Sequence, residues 1–477
     1  MKMAQAVSIR WLLRSRVLIF IAIANLVACE TKPPSLESQA PQVLQQWLDA
    51  FNSGNPNQMA GFWRSYHETD ALVRMEDDLD LRNVTGTMKV VKVTENTGTH
   101  LVALMKEQNG DYSESSVELA SSNPLILERI GNYPIPKISR SELAAASDED
   151  LATRIQNRIA TQFPPENAFS GAILVAHQGR IILDRAWGMA NSAKHIRNTI
   201  DTQFNIASMG KMFTAIAVLQ LVEQGKLALD EPIARYWRDY PNPDLARQVT
   251  VRELLDHTGG TGDAFTPEYF THRLETRSLT DYVRLLGHRP VRFDPGTRME
   301  YSNYGYILLG RLIELTSGET YDSYVQRHIF APAGMSHTDS RPEASRGGER
   351  AIGYMRSGHG LIPNTSILPW AGTSAGGEYS TAHDLLQFAS TLRSGRLINR
   401  AFLRQATTDQ THYGYGLGFS LVGEGSFGHI GGMPGVSGEL LILPRSAYVL
   451  IVLANRGPRT ADNMVEFIRQ SLPQPSM

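Results

Sequence analysis

A serine and a lysine lie three residues apart at the start of a long apolar segment. Ser208 and Lys211 precede residues 212–222, which are apolar except at Thr214 and Gln220. Such a segment predicts a buried helix, and residues three apart on a helix share one face. Because burial disfavours an ammonium, we expect the pKa of Lys211 to fall towards neutrality. A neutral amine beside a serine hydroxyl can act as the general base for a nucleophile.

The start of this predicted helix also suits a reaction that builds negative charge on a carbonyl oxygen. Backbone N–H groups in the first turn have no acceptor within the helix, and the helix dipole is positive at that end. An oxyanion formed by attack of Ser208 would lie beside them. The S-x-x-K pattern is unspecific by itself, because such tetrapeptides occur by chance in most long chains.

Two later segments place further polar groups at the ends of predicted elements. Tyr301 and Asn303 follow a turn at 293–296 and precede a helical run at 306–313. Near the C-terminus, residues 428–432 read Gly-His-Ile-Gly-Gly between predicted strands. Glycines there would let a substrate backbone lie close against a strand edge.

In chain order, these segments resemble the S-x-x-K, Y-x-N and K/H-x-G signatures of the penicillin-recognising serine hydrolases. The longer stretches FNIASMGKMFTAIAVLQLVEQGKLALDEP, TVRELLDHTGG, FDPGTRMEYSNYGYILLGRLIE and GHIGGMPG also resemble the class C β-lactamase-like family. That family includes esterases, D-aminopeptidases and D-alanyl carboxypeptidases. The resemblance therefore predicts a serine hydrolase of the β-lactamase-like type.

The resemblance implies a role for each catalytic candidate. Ser208 would attack the substrate carbonyl and form an acyl-enzyme. Lys211 and Tyr301 would share the proton transfers, with Tyr301 protonating the leaving group and activating the deacylating water. Asn303 would contact the substrate amide or hold Lys211.

The resemblance also implies the walls of the cleft. His429 and Gly431 would line the wall opposite the serine, and the N–H groups of Ser208 and Gly432 would form the oxyanion hole. No metal and no organic cofactor are implied. The partner of the site would be a small molecule or a peptide.

The histidine at position 429 departs from part of the family. Many β-lactamases and carboxypeptidases of this type carry lysine where His429 stands, and that charge helps to hold a substrate carboxylate. An imidazole is largely neutral at pH 7. We therefore expect ester or D-amino-acid peptide substrates. A penicillin-binding D-alanyl carboxypeptidase, a β-lactamase and a non-catalytic binding or sensing lipoprotein are the alternatives.

Two other motifs compete for a catalytic role. Residues 372–376 match the G-x-S-x-G pattern around Ser374, but a nucleophile elbow needs a preceding strand and a helix directly after it. The stretch instead predicts a glycine loop before a helix capped near Ser380 or Thr381. His257 could serve as the base of a triad, although we expect it to hold backbone near the site. The histidines show no paired metal-ligand spacing.

The elements around these motifs predict an α+β fold for a unit at 139–473. A helix is expected at 151–163, and strands are expected at 171–176, 180–186, 415–422, 438–443 and 448–454. Mostly helical sequence separates the two groups of strands. The simplest arrangement joins the strands from both ends in one antiparallel sheet that is flanked by helices. The helical sequence between them predicts a helical subdomain.

A smaller unit is expected at 42–133, joined by a linker at 134–138. Apolar residues recur at helical spacing from Val43 to Phe51, and four β-type stretches follow between residues 87 and 130. The opening VLQQWLDAFNSGN and the strand order resemble the cone-shaped α+β domain of the SnoaL and nuclear-transport-factor type. A spacer or dimerisation module is the simplest role, and no catalytic residue is assigned there.

The first 28 residues have the parts of an export signal: basic residues, a short apolar run and a small-residue site. The run ends Leu-Val-Ala before Cys29, which resembles a lipobox, and Cys29 is the single cysteine of the chain. We expect Cys29 to be lipidated and 29–41 to be a polar tether. Because Glu30, not aspartate, follows, we expect an outer-membrane anchor that faces the periplasm.

The composition of the chain argues against two other classes of protein. The formal net charge is −2, with 46 basic and 48 acidic residues. A mildly acidic chain has no electrostatic reason to bind nucleic acid. Apolar content of 42% is ordinary for a globular protein and argues against a multi-span membrane protein. The oligomeric state does not follow from the sequence.

Overall fold

The computed structural model describes residues 39–66, 71–108, 112–120, 123–135, 144–162, 169–342, 350–357, 360–423, 425–457 and 459–473. The predicted export signal and the predicted lipidation site at Cys29 lie outside the described residues. Among the helices in the described ranges, none is long and apolar enough to cross a membrane.

The first unit combines three helices with a four-stranded antiparallel sheet. Its elements are α1 Gln39–Ser53, α2 Pro56–Tyr66, α3 Ala71–Thr85, β1 Met88–Asn96, β2 His100–Glu107, β3 Tyr112–Ala120 and β4 Asn123–Ile135. The strands pair in the order β1-β2-β3-β4. The predicted first helix and the four predicted strands are present, whereas α2 and α3 were not predicted.

A buried carboxyl ties the three helices of this unit together. Asp78 on α3 accepts hydrogen bonds from the indole N–H groups of Trp47 on α1 at 3.0 Å and Trp63 on α2 at 2.7 Å. Burial raises the pKa of Asp78 to about 7. The resemblance of this unit to the SnoaL type stays a prediction.

One six-stranded antiparallel sheet lies at the centre of the second unit. Its strands are β5 Gly171–His177, β6 Arg180–Trp187, β13 Ser420–Val422, β14 Ser426–Met433, β15 Val436–Leu443 and β16 Tyr448–Ala454. They pair in the order β13-β14-β15-β16-β5-β6. The sheet is therefore built from both ends of the unit, as predicted.

Helices and short strands fill the sequence between the two groups of strands. The helices are α4 Asp148–Gln162, α5 Lys211–Glu223, α6 Pro243–Gln248, α7 Val251–Leu255, α8 Pro267–His272, α9 Leu279–Leu286, α10 Asn303–Ser317, α11 Tyr321–Val325, α12 Ala331–Ala333, α13 Ala382–Ser394, α14 Arg400–Ala406 and α15 Thr460–Gln470. The short strands are β7 Met189–Asn191, β8 Ile196–Arg197, β9 Phe204–Asn205, β10 Tyr354–Ser357, β11 Gly360–Pro363 and β12 Tyr379–Ser380. Helix α15 was not predicted.

The two faces of the central sheet bury different cores, because successive strand residues point to opposite faces. Ile173 and Val175 of β5 pack in one core with residues of α4 and α15. Leu174 and Ala176 belong to the other core, which contains α5. Helix α5 is apolar nearly all round and buried, so it fixes Ser208 and Lys211 firmly against the sheet.

Two strand predictions near the C-terminus are wrong in detail. The strand expected at 415–422 is reduced to β13, because Gly414 and Gly418 adopt positive φ angles of 72° and 83°. The Asp409 side chain accepts the Gly414 N–H at 2.8 Å, which holds this loop. Residues 428–432 were expected between strands, but they lie within β14.

Candidate active site

Ser208 and Lys211 lie on one turn at the N-terminal end of α5. Residues Ala207–Gly210 form a 3-10 helix that leads directly into α5. Ser208 is half-buried, whereas Lys211 is 0% exposed. The Lys211 Nζ atom lies 3.1 Å from the Ser208 Oγ atom. The geometry predicted from the S-x-x-K spacing is therefore present.

The other partners of Lys211 determine which proton it can accept. Its Nζ atom lies 2.7 Å from Asn303 Oδ1 and 2.6 Å from the carbonyl oxygen of Ala375. Both oxygens are acceptors only, so each takes an N–H from the amine. A neutral amine then has a single lone pair left, and that lone pair faces the hydroxyl of Ser208. This arrangement suits an amine that removes the serine proton.

Burial lowers the pKa of Lys211 to about 7, while the nearby Asp263 and Glu378 act in the opposite direction. Burial also raises the pKa of Glu378 to about 8, so its carboxyl group is mostly protonated at neutral pH. The lysine can therefore lose its proton near pH 7 without a full negative charge from Glu378 holding the ammonium.

Asn303 is held in the orientation that serves Lys211. Its Nδ2 atom donates to Asp263 Oδ1 at 2.9 Å, so Oδ1 of the amide must face the lysine. Asn303 is the first residue of α10, and the preceding Ser302 caps this helix by accepting the N–H of Gly305 at 2.8 Å. Of the two roles expected for Asn303, the structure shows the contact with Lys211.

Tyr301 lies directly before this cap and close to the nucleophile. The residue is 41% exposed, but burial of its hydroxyl raises the pKa of Tyr301, while the neighbouring Ser208 acts in the opposite direction. The Lys211 Nζ atom lies 4.8 Å from the centre of the Tyr301 ring. Tyr301 is therefore a neutral proton donor near pH 7, which fits the expected role as an acid for the leaving group.

His257 positions this segment, as expected from the sequence. Its Nδ1 atom accepts the N–H of Ser302 at 3.1 Å, and its carbonyl oxygen accepts the N–H of Glu300 at 2.9 Å. Burial lowers the pKa of His257 well below its ordinary value. The two hydrogen bonds flank Tyr301, so a neutral His257 fixes the backbone on both sides of the candidate acid.

His429 lies on β14 with both ring nitrogens engaged. Its Nδ1 atom is 2.6 Å from the carbonyl oxygen of Ile430, and its Nε2 atom is 2.8 Å from the hydroxyl of Tyr415. The first atom must donate and the second can accept, which is the pattern of a neutral imidazole. Burial, followed by the charge of Lys211, lowers the pKa of His429 to about 3. His429 therefore offers no positive charge to a substrate.

The glycines of β14 lie beside the nucleophile turn. A Cβ atom on Gly431 would come within 2.1 Å of the Ile206 carbonyl oxygen, so only glycine lets the strand approach this closely. Strand β13 pairs with β14 only up to Gly428. Beyond that residue, the part of the sheet that the structure describes leaves the outer edge of β14 open. The exposed Gly432 lies on this edge, where its N–H could serve the predicted oxyanion hole.

The turn that carries Ser208 is strained and tightly enclosed. Ala207 has a φ angle of 43°, a conformation that costs a residue other than glycine about 1–3 kcal/mol. Its carbonyl oxygen accepts the N–H of Gly377 at 3.0 Å. A Cβ atom on Gly376 would lie 2.1 Å from that same carbonyl oxygen. The loop at 372–377 thus supports both the serine turn and, through Ala375, the lysine.

Ser374, the competing serine, has no catalytic surroundings. It is 0% exposed, and its Oγ atom packs so closely on α10 that a Cβ atom on Gly310 would lie 2.2 Å from it. No hydrogen-bond partner for this oxygen occurs among the described residues. The described ranges also contain no group of three histidine, cysteine or acidic residues that could hold a metal.

Sequence reasoning missed three parts of the site. Asp263 orients Asn303, Tyr415 binds His429, and the carbonyl oxygen of Ala375 accepts from Lys211. Asp263 belongs to a segment without a recognisable pattern, Tyr415 was predicted only as a strand residue, and a main-chain carbonyl carries no side-chain signal. The segment around Ser374 did carry a motif, but its contribution is backbone support.

Comparisons with known proteins identify the family of the chain. The fold and the grouped side chains define a serine hydrolase. The family model described as Beta-lactamase matches residues 156–472, and the chain belongs to this family.

Relatives of known structure cover the same part of the chain. A penicillin binding protein from Bacillus halodurans is 31% identical with a TM-score of 0.60, over 67% of this chain and 99% of that one. The D-amino acid amidase of Ochrobactrum anthropi SV3, complexed with L-phenylalanine amide, is 26% identical with a TM-score of 0.58, over 67% and 97%. Among relatives known by sequence, a protein described as "Putative penicillin-binding protein PbpX" from Bacillus subtilis (strain 168) is 29% identical over 72% of this chain and 83% of its own length.

Proposed function

We propose that the protein hydrolyses ester or amide bonds, including those of D-amino-acid peptides, through an acyl-enzyme on Ser208. One observation supports this most strongly. The Lys211 amine donates to Asn303 and Ala375, which leaves its lone pair for the Ser208 hydroxyl 3.1 Å away. Such a paired nucleophile and base is the arrangement that covalent catalysis needs.

The proposed reaction has two halves. Lys211 takes the proton as Ser208 Oγ attacks the carbonyl carbon, and the N–H groups of Ser208 and Gly432 stabilise the oxyanion. Tyr301 then gives a proton to the leaving oxygen or nitrogen as the bond to the acyl group breaks, and it recovers that proton from Lys211. In the second half a water attacks the acyl carbon and gives a proton to the same pair. The bond to Ser208 Oγ then breaks, the pair returns the proton to Oγ, and the acid leaves.

The neutral imidazole of His429 supports ester and amide substrates over β-lactams. A lysine at this position would present a positive charge, whereas both ring nitrogens of His429 are occupied by Tyr415 and Ile430. An amidase among the relatives supports amide cleavage within this fold. The alternative, a penicillin-binding carboxypeptidase or β-lactamase, is favoured by the penicillin binding protein at 31% identity.

The direct test is covalent labelling with a fluorophosphonate, read by intact-protein mass spectrometry. We expect one adduct on the wild type, none on Ser208→Ala, and an unchanged adduct on Ser374→Ala, because Ser374 is fully buried. Ser374→Ala is a matched control, since it removes a serine hydroxyl from the same domain. An adduct that disappears only in Ser374→Ala would contradict the mechanism.

Nitrocefin turnover, ester cleavage and labelling with a penicillin separate the alternatives. Rapid nitrocefin turnover with weak ester cleavage would favour a β-lactamase, and a stable penicillin adduct would favour a penicillin-binding carboxypeptidase. The absence of any adduct with the fluorophosphonate and with penicillin would favour a non-catalytic binding or sensing protein. An intact Ser208, Lys211 and Tyr301 set argues against that outcome, because a buried lysine is costly when it performs no reaction.

We further propose that the enzyme acts outside the cytoplasm, anchored through lipid on Cys29 in the outer membrane. The basic and apolar leader before Cys29 supports this. Expression in a double-membraned bacterium should place the wild type in the outer-membrane fraction with a lipid-sized mass increase. Cys29→Ser should remove that increase. An unmodified wild type in the soluble fraction would contradict the anchor.

A further inference from the structure

Asp263 places a carboxylate near the catalytic lysine that the reaction steps above leave unused. Its Oδ1 atom accepts the Asn303 Nδ2–H at 2.9 Å and the N–H groups of Ala264 at 2.6 Å and Phe265 at 3.3 Å. Within the described ranges, no donor or ion-pair partner reaches its Oδ2 atom. The residue is half-buried, and this oxygen is not sealed from solvent. One carboxylate oxygen therefore remains available beside the site.

The nearby Arg289 forms no ion pair with this carboxylate. Arg289 donates to the main-chain oxygens of Asp263 at 2.8 Å and Leu286 at 3.1 Å, and its guanidinium lies 4.8 Å from the centre of the Tyr304 ring. Its contact with Asp263 is thus to the backbone and not to the carboxylate. The Oδ2 atom of Asp263 is therefore able to accept a hydrogen bond from a cationic group of a ligand.

The wall opposite Asp263, which contains His429, lacks the positive charge that a carboxylate-binding site would have. His429 is neutral and has no ring nitrogen left for a substrate. Asp263 is close enough to Lys211 and Tyr301 that its charge acts on both. Once Lys211 is neutral, as the reaction requires, the charge that Asp263 places near the nucleophile is negative, and the neutral His429 does not offset it. A substrate with a carboxylate would be repelled, whereas one with a protonated amine would be attracted.

We propose that Asp263 forms a binding subsite for a protonated amine of the substrate. The ammonium donates a charge-assisted hydrogen bond to Oδ2, while Oδ1 keeps its bonds to Asn303 and the loop. The inference rests on acyl transfer at Ser208 and narrows its substrates to amine-bearing esters and amides. An α-amine and a more distant amine, on the acyl part or on the leaving group, share this chemistry.

The test compares cationic and neutral substrates of equal shape. The 4-nitrophenyl esters of D-alanine and isobutyrate differ by an α-ammonium, and those of 6-aminohexanoate and heptanoate differ by a distant one. Heptanoate esters of 4-(aminomethyl)phenol and 4-ethylphenol place the ammonium on the leaving group. The readout is the ratio of kcat/KM, cationic over neutral, for the wild type, Asp263→Asn and Glu268→Gln.

We expect the wild type to prefer the cationic member of at least one pair. Asp263→Asn should reduce that ratio by roughly 10- to 100-fold, the size of a hydrogen bond to a charged group. Glu268→Gln is the matched control, because Glu268 is an exposed carboxylate on the neighbouring α8. Its ratio should stay at the wild-type value. The pair that shows the effect identifies where the amine lies.

Two results would overturn the subsite. The wild type could show no cationic preference in any pair, or Asp263→Asn could slow both members equally, which would mean that Asp263 only positions Asn303. The fluorophosphonate adduct keeps this failure distinct from failure of the proposed function. If wild type and Asp263→Asn both label at Ser208 while the ratios do not differ, the hydrolase stands and the amine subsite falls.

Discussion

Replacing Lys211 with methionine should reduce the rate of ester hydrolysis by about 10³-fold or more, because the base for Ser208 is lost. Methionine is unbranched and apolar, so it can fill the buried space of the lysine stem. The measurement is the rate of acyl-enzyme formation with a 4-nitrophenyl ester. Lys226→Met is the matched control, since Lys226 is exposed just beyond the end of α5 and should keep wild-type activity.

The pH dependence of the wild type checks the same assignment. The pKa of Lys211 is lowered to about 7, so the active neutral amine should accumulate as the pH rises through 7 and the rate should reach a plateau above it. The free energy of unfolding should also depend on pH, because Lys211 loses its proton at a lower pH in the folded state than in the unfolded state. The unfolded lysine keeps its proton up to about pH 10. Any stability advantage of Lys211→Met should therefore be largest below pH 7 and should shrink between pH 7 and 10. An acid limb near pH 7 that persists in a residual Lys211→Met activity would contradict the assignment.

Gly376→Ala should abolish detectable activity and lower the free energy of unfolding by about 3 kcal/mol or more. Gly376 has a φ angle of 125°, and a Cβ atom there would lie 2.1 Å from the Ala207 carbonyl oxygen and 3.0 Å from Ser208 Cα. Both neighbours are backbone, so relief of the clash must move the nucleophile turn. Thermal unfolding and the rate of fluorophosphonate labelling measure the two effects.

Gly179→Ala separates backbone strain from the clash at the site. Gly179 has a φ angle of 79°, and nothing lies within 4 Å of the Cβ position. This variant should lower the free energy of unfolding by only about 1–2 kcal/mol, because alanine is strained in the left-handed conformation. Its activity should be unchanged. If Gly376→Ala labels at the wild-type rate, the loop at 372–377 does not support the nucleophile in the way the structure indicates.

The local sequence pattern was sufficient to predict those parts of the site that depend on the spacing of residues along one helix. Ser208 and Lys211 could be paired from the sequence because residues three apart on a helix lie on the same face. A single antiparallel sheet was predicted from the two groups of β-type segments at the ends of the unit, but its strand order was not predicted. Asp263, by contrast, lies in a loop forty positions before its partner Asn303, and no periodicity indicates such a contact.

The errors near the C-terminus have a common cause. The stretch from Tyr415 looked like a strand because apolar and aromatic residues alternate there with glycine. The glycines instead adopt left-handed conformations, and only Ser420–Val422 pairs with β14. His429 and its flanking glycines were expected between strands, and glycine does lower strand propensity. Pairing with β15 on one side overrides that propensity, with His429 opposite Leu440.

The central sheet has a consequence for when the enzyme can become active during synthesis. Strand β5 can pair with β6 as soon as that hairpin is made, but its other neighbour, β16, is made more than two hundred residues later. Strand β14, which carries the open edge beside Ser208, is also made late. A ribosome-bound chain that ends before β14 therefore holds the serine and the lysine but has no facing wall. Nascent chains can present the nucleophile, but only the finished polypeptide can close the cleft around a substrate.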